Sequence, residues 1–450
     1  MFDFQKHLQK FPQICFQKRW EISPKTMFQL GQCEAIVESL RFLPLSPQVR
    51  TEMLRVSLVK GAMATTAIEG NTLSEEEVRL IQEGKSTIAP SRKYLEQEVK
   101  NVLDALNTIL ADVVERNAIS PVTPEIIKAF NKFVGRDLGD AFESVPGQFR
   151  EHEVVVGAYR PPDHRDVVPL VRMMCDWLRK EFGFAEESAP DFYTGVIEAI
   201  VAHVYLVWIH PLGDGNGRSA RLLEFYLLLR SGLPDICSHI LSNHYNDTRT
   251  EYYRQLGNAG KRRDLTDFIA YAVQGLLDGL RSILFSAQNH QLKSYWKNYV
   301  HAELDAMRIL KPVRKRCAVL LTELELFKSY RLSELLIATP AIATAYPLSS
   351  SRTLARDVKM LTAKNLLVVN QDGNYRIKLV GSGVKSNDLQ QFILLHGVDL
   401  VDADDDAVVQ GQGLLEHEAG LGHGALGGVH QQDNAVDHLQ NTLHLAAEVG

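Results

Sequence analysis

Two apolar stretches, Phe192–Ile209 and Leu222–Leu229, most constrain how this 450-residue chain can fold. Both suit buried helices, and neither keeps a broad polar face to turn toward water, so each needs protein on most of its sides. A short polar loop separates them. The surrounding sequence is also mostly helical in pattern. From Thr51 to Glu69 apolar residues recur at helical spacing, Gly70 ends the run, and Ser74 with Glu77 forms a capping box that opens the next helix. Glu153-Val154-Val155-Val156-Gly157-Ala158-Tyr159-Arg160 breaks the helical pattern and reads as a short hairpin, bounded by prolines. The expected fold class is therefore mainly α, a helical core with one short β-hairpin.

At this length two to four domains are expected, and the 45% hydrophobic content is that of a globular protein. No basic-then-apolar leader is visible at the N-terminus, and polar residues interrupt each long apolar run before the ~18 positions a membrane span needs. A soluble cytoplasmic protein without membrane association is the expectation. The five cysteines, Cys15, Cys33, Cys175, Cys237 and Cys317, are odd in number and scattered, which favours buried thiols over a disulfide framework or zinc site.

The net charge of −6 is unevenly spread. From Ser386 to Gly450 there are eleven of the 55 acidic residues and none of the 49 basic ones, leaving the rest of the chain at about +5. This acidic, Gly- and His-rich tail lacks the pattern of a packed core. Its six histidines are irregularly spaced and do not suggest a metal site.

Before the tail lies a separate module. A helix from Lys311 through Tyr330, the segment Leu332–Ala338, a turn at Tyr346-Pro347, a helix over 350–363, and two strand-like segments flanking Asp372-Gly373 follow the order of a winged helix-turn-helix. Arg352, Arg356 and Lys359 would lie off its apolar face, where they could contact DNA or simply face solvent. The expected organisation is an N-terminal helical region (1–105), a helical core (106–290), a winged helix-like domain (291–382) and a disordered tail (383–450).

The chemistry concentrates in His210-Pro211-Leu212-Gly213-Asp214-Gly215-Asn216-Gly217-Arg218-Ser219-Ala220-Arg221. Gly215, Asn216 and Gly217 let the backbone turn just where a helix begins, creating a nest of N–H groups for an anion such as phosphate. Arg218 and Arg221, one helical turn apart, can serve the same polyanion. Asp214 offers an oxygen ligand of the type Mg²⁺ accepts when it also binds phosphates. His210 has an ordinary pKa suited to a general base near neutrality.

This segment resembles the Fic family signature, H-x-F-x-[DE]-G-N-G-R-x-x-R, and departs from it only at Leu212, where the family usually has Phe. The resemblance extends from about Trp20 to Ala272, including Pro146-Gly147-Gln148-Phe149-Arg150 and Tyr252-Tyr253. It implies transfer of AMP from ATP to a Tyr, Ser or Thr hydroxyl of a protein target, which could be the chain itself, with possible assembly as a homodimer. His210 would be the base; Gly213, Gly215, Gly217 and Asn216 would hold the phosphates; Asp214 would hold Mg²⁺; Arg218 and Arg221 would bind the β- and γ-phosphate regions. Val154, Val155 and Val156 would form a flap that docks the target. Tyr252 and Tyr253 would line the adenine pocket, or else serve only in packing. Gly217 stands where kinase-like Doc relatives have Lys, which argues for AMP transfer.

Thr65-Thr66-Ala67-Ile68-Glu69-Gly70-Asn71 resembles the family's inhibitory motif, [ST]-x-x-x-E-[GN]. The resemblance implies a Glu69–Arg221 pair occupying the place of the γ-phosphate; the alternative is a solvated glutamate at a helix end. Two other functions stay open at this point: a DNA-binding regulator with an ancillary Fic core, and an enzyme that removes AMP.

Overall fold

The computed structural model describes residues 2–157, 159–183, 191–326, 328–347 and 351–378. The first helices are α1 (Phe4–Lys10), α2 (Pro24–Phe42), α3 (Pro47–Ala67), α4 (Glu75–Gln82) and α5 (Lys93–Leu110). Then come α6 (Pro124–Gly135), α7 (His164–Glu181), α8 (Phe192–Ile209), α9 (Asn216–Arg230), α10 (Ile240–Asp247), α11 (Arg249–Arg262) and α12 (Thr266–Ala306). The C-terminal part contains α13 (Lys311–Glu323), α14 (Leu332–Leu335), α15 (Pro340–Ala345), α16 (Ser351–Ala363), β1 (Leu367–Val369) and β2 (Tyr375–Ile377).

Several helix starts follow directly from local chemistry. Ser23, Ser46 and Thr123 each cap a helix whose first residue is proline, where the missing N–H has no intrahelical role to play. Ser74 and Glu77 make the reciprocal hydrogen bonds of the expected capping box. Gly70, with φ of +96°, adopts the left-handed conformation that lets the chain leave α3.

Helices α8 and α9 pack together at the centre of the core. Every residue of α9 except Gly217 is buried, and 83% of α8 lies inside the protein. Here the structure qualifies the membrane expectation: α8 and α12 are each long and apolar enough to span a bilayer by length and composition. In α8, however, the surrounding helices take up the apolar surface, while Glu198 pairs with Arg230 of α9.

One hydrophobic core includes residues from Ile14 to Ala287, and a second includes residues from Trp296 to Ile377. Helix α12 passes continuously through the boundary expected at 290/291, contributing to both cores. The boundary expected at 105/106 falls within α5, whose apolar side belongs to the same core as α8 and α9. The N-terminal helices and catalytic helices therefore share one interior.

In the second core, the helix expected to reach Tyr330 stops at Glu323. Leu324 is extended, and Leu324, Leu326 and Tyr330 contribute to the interior. Tyr330 then exchanges two backbone hydrogen bonds with Tyr375, adding a bridge beside the β1–β2 hairpin. Thr339 caps α15, a short helix that the sequence pattern did not reveal. The expected disordered tail at 383–450 lies outside the described residues.

Candidate active site

The end of α8 and the start of α9 create the site. His210 adopts φ of +49°, turning the backbone sharply after Ile209 while its N–H still bonds the Leu206 carbonyl. Leu212, where the family signature usually has phenylalanine, is buried and anchors the loop in the interior. Asn216 closes the loop: its Oδ1 accepts from the Leu212 N–H at 2.9 Å and its Nδ2 donates to the Leu212 carbonyl at 2.8 Å. Its side-chain amide thus braces the loop, while its backbone stands at the first position of α9. Gly215, at φ +74°, makes the left-handed turn into α9, whose leading N–H groups lack intrahelical acceptors.

Arg150 fastens the loop from the other side. Its Nε donates to the His210 carbonyl at 2.8 Å, and its guanidinium also reaches the carbonyls of His152 and Pro162. Asn131 donates to the Asp214 carbonyl at 2.9 Å and accepts the Gly147 N–H at 2.8 Å. The sequence marked the Pro146–Arg150 segment but not this bracing function; Asn131 carried no local signal at all.

Burial pulls the His210 imidazole down to about 4, so the ring is neutral near pH 7. Its Nδ1 lies 3.3 Å from the Val207 carbonyl. With the proton on Nδ1, donated to that acceptor, Nε2 carries the basic lone pair. The imidazole borders a cavity of about 610 Å³, together with Gly217, Arg221, Glu69, Tyr252 and Tyr253. A site of this size can hold a ligand comparable to a nucleotide.

Glu69 and Arg221 meet in this cavity. Arg221 is buried, and its Nη2 donates to Glu69 Oε1 at 2.6 Å and to the Thr65 carbonyl at 2.9 Å. A third of the Glu69 side chain remains exposed. Burial raises the carboxyl's pKa, but the Arg221 charge and hydrogen bond outweigh it, so the net direction is downward and Glu69 is ionised. The carboxylate lies over the first turn of α9: a Cβ added to Gly217 would come within 2.2 Å of Glu69 Oε1. Gly217 thus accommodates a carboxylate at the helix's positive end.

Arg218 belongs to a second charged group. It donates to Glu98 Oε1 at 2.5 Å and to Asp214 Oδ1 at 3.2 Å. Asp214 also accepts backbone N–H groups from Glu143 and Gly215, while a quarter of its side chain remains exposed. The sequence pointed to Arg218 and Asp214, but Glu98 is 120 residues from its arginine and went unnoticed.

The two tyrosines divide between the two expected roles. Tyr252 is buried, its hydroxyl 3.0 Å from His203 Nε2, and it contributes to both the core and the cavity wall. Tyr253 is 49% exposed and borders the cavity, with its hydroxyl directed to the Ile68 carbonyl. His203 and Glu224 lie behind this wall, and sequence reasoning missed both, although a polar residue inside each apolar helix was the signal that could have found them. Burial lowers the His203 imidazole to about 3 and raises the Glu224 carboxyl to about 8.

The expected 153–160 hairpin is not a ladder. Among the described residues of the segment, Val156 and Tyr159 alone pair, exchanging two backbone hydrogen bonds, with Gly157 at φ +55° between them. Pro161 and Pro162 cannot donate N–H bonds, so pairing does not continue after Arg160. Val155 and Val156 are exposed, Val154 is half-buried, and Val156 borders the cavity.

The family model described as the Fic/DOC family matches residues 121–228. The chain is 32% identical over 216 residues to protein adenylyltransferase Fic of Drosophila willistoni, covering 48% of this chain and 40% of that protein. It is 30% identical over 222 residues to protein adenylyltransferase fic-1 of Caenorhabditis briggsae, covering 49% and 40% respectively. The chain thus spans less than half the length of these curated relatives. Among solved structures, a Fic family protein from Desulfovibrio desulfuricans G20 is similar with a TM-score of 0.49 and 20% identity, over 82% of this chain and all of that one.

Proposed function

We propose that this chain, whose residues 121–228 match the Fic/DOC family, transfers AMP from ATP to a hydroxyl side chain of a protein, with Glu69 restraining the reaction. The observation that carries this reading is the convergence of a neutral histidine, the N-terminus of α9 and a buried arginine on one cavity. The target hydroxyl oxygen attacks the α-phosphorus, the bond to the β-phosphate oxygen breaks, and pyrophosphate leaves. His210 Nε2 takes the hydroxyl proton. The α9 N-terminus and Arg221 stabilise negative charge on the phosphates.

Asp214 fits one ligand position for Mg²⁺. Its carboxylate is partly exposed and has coordination capacity beyond the three donors it already accepts, while phosphate and water oxygens could complete the set. When bound, the ion would neutralise phosphate charge. Glu69 acts against such a ligand, since its carboxylate occupies both the mouth of α9 and the Arg221 guanidinium. Tyr252 and Tyr253 form the wall proposed to face adenine, and the Val154–Val156 segment, with Val155 and Val156 exposed, is proposed to dock the target by strand addition through the backbone groups that the Val156–Tyr159 bridge does not use.

The buried, unpaired thiols fit a reducing compartment, and we place the enzyme in the cytoplasm. A winged-helix role for the C-terminal module has one supporting feature: Arg352, Arg356 and Lys359 are exposed on α16 while Leu354, Val358 and Leu361 are buried. Those cations are separate from the residues lining the cavity, so AMP transfer remains the favoured function.

The direct test is incubation of the purified chain and its Glu69→Gly variant with α-labelled ATP, Mg²⁺ and cell lysate, followed by mass spectrometric location of the label. AMP on Tyr, Ser or Thr is expected, strongest with the variant. If neither protein labels itself or any target while both bind nucleotide, AMP transfer is excluded.

A further inference from the structure

Both motif arginines are held by carboxylates from the N-terminal helical region. Glu69, just beyond α3, takes Arg221; Glu98, on α5, takes Arg218. Glu98 also has a second commitment. Its Oε1 accepts from Arg218 at 2.5 Å, while its Oε2 accepts from Asn71 Nδ2 at 2.9 Å.

Asn71 belongs to the turn that carries Glu69. Its backbone N–H bonds the Thr66 carbonyl at 3.1 Å, closing the turn. Its side chain fastens that turn to α5, donating to the Leu95 carbonyl at 3.0 Å as well as to Glu98, while its Oδ1 accepts the Leu73 N–H at 3.0 Å. Asn71 is 7% exposed and Arg218 is 6% exposed, so water offers little replacement for a lost partner. A continuous set of contacts therefore runs from Asp214 through Arg218, Glu98 and Asn71 to the turn that presents Glu69 to Arg221.

We infer that Glu98 is a positioning residue that couples the engagement of Arg218 to the position of the Glu69 turn. This rests on the proposed restraint by Glu69. An Arg218 guanidinium drawn toward phosphate gives up Glu98 Oε1, and the carboxylate is then free to reorient away from Asn71. The turn loses one of its two side-chain ties to α5, and Glu69 is less firmly held over Gly217 and Arg221. Such linkage is reciprocal for binding: loosening the turn also favours capture of phosphate by Arg218. The competing role is simpler, with Glu98 serving only to neutralise a buried arginine.

Two variants separate these roles. Glu98→Gln removes the charge that Arg218 and Asn71 share and decides the coupling; Asn71→Ala cuts the tie to Glu98 together with those to Leu95 and Leu73, and so tests whether loosening the turn releases Glu69. Each is made in the full chain alone and combined with Glu69→Gly, with self-labelling by α-labelled ATP, affinity for a non-hydrolysable ATP analogue and the thermal midpoint measured for all. With Glu69 present, each folded variant should raise labelling roughly fivefold and tighten nucleotide binding. With Glu69→Gly, neither should add a further rise, because the restrained residue is absent. Equal changes in both backgrounds, or a loss of nucleotide affinity in both, would reduce Glu98 to a counter-charge and overturn the coupling. A rise on Glu69→Gly with no rise from either folded variant would refute the coupling while leaving the Glu69 restraint intact. No rise on Glu69→Gly would refute both. Should Asn71→Ala fail to fold, Glu98→Gln decides by the same comparison.

Discussion

The α8–α9 region and the C-terminal module treat buried charge differently. Around α8 and α9, Arg218, Arg221, Glu198, Glu224 and Arg230 are all buried. In the module beyond α12, Asp357 is the one buried charged residue among those described. It is satisfied within its own module, accepting from Arg316 and from the Tyr346 hydroxyl. Arg221, by contrast, borders a cavity and takes its carboxylate from a segment 152 residues away. Desolvating a charge is costly unless close partners offset it. A local partner gives a stable structural contact, whereas a distant partner at a cavity can be exchanged for a ligand. Glu198–Arg230 refines that distinction: both partners lie on the central helices, but neither borders the cavity, so the pair joins helices rather than competing with substrate.

The largest expected effect is at the cavity. His210→Ala should lower labelling by α-labelled ATP at least about 100-fold, while nucleotide affinity changes little, because the base acts on the incoming hydroxyl. Near-normal transfer by a folded His210→Ala protein would remove this histidine from the mechanism. In the other region, Asp357→Ala should destabilise the C-terminal module by up to about 3 kcal/mol, the partial exposure of Arg316 keeping the loss below that of a fully buried pair. Urea unfolding should register the change and labelling should not. A parallel loss of transfer would show that the two regions are energetically linked.

A smaller difference concerns pH. His203 and His210 are held at about 3 and about 4 in the folded protein, below the ordinary value near 6.5. The unfolded chain therefore binds more protons at these positions between about pH 6.5 and 4, and their contribution makes folding less favourable as pH falls through that range. Glu224 has the opposite sign. Its folded value of about 8 exceeds the ordinary value near 4.3, so its contribution becomes less favourable as pH rises from about 4.3 to 8. Above about pH 7.5 the unfolded histidines are also largely deprotonated, and between there and pH 8 Glu224→Gln should flatten the pH dependence of the urea midpoint. An unchanged slope would remove Glu224 as its source.

Local patterning made the central helices legible. Apolar runs and caps placed α8, α9 and the start of α4 because neighbouring residues along one chain supply both the hydrophobic surface and the hydrogen-bonding groups. The extent of the C-terminal helix was less legible: Leu324 and Leu326 leave helical geometry to fill the second core, a choice made by partners distant in sequence. The flap misled for a similar reason. Its three consecutive valines permit an extended strand, but the adjoining prolines cannot extend a ladder, and the described residues of the segment form one bridge.

The sequence by itself determined the contents and order of the 210–221 loop, the glycine that turns it into α9, and the resemblance that linked Glu69 to Arg221. Only tertiary structure decided that Asn216 would secure Leu212, Tyr252 would lie against His203, and Glu98 would join Arg218 to Asn71. A turn or helix start depends on a few adjacent residues. Partner selection across 120 residues depends instead on which helix faces are forced together as the apolar core closes, and that geometry decides which buried charge each carboxylate can satisfy.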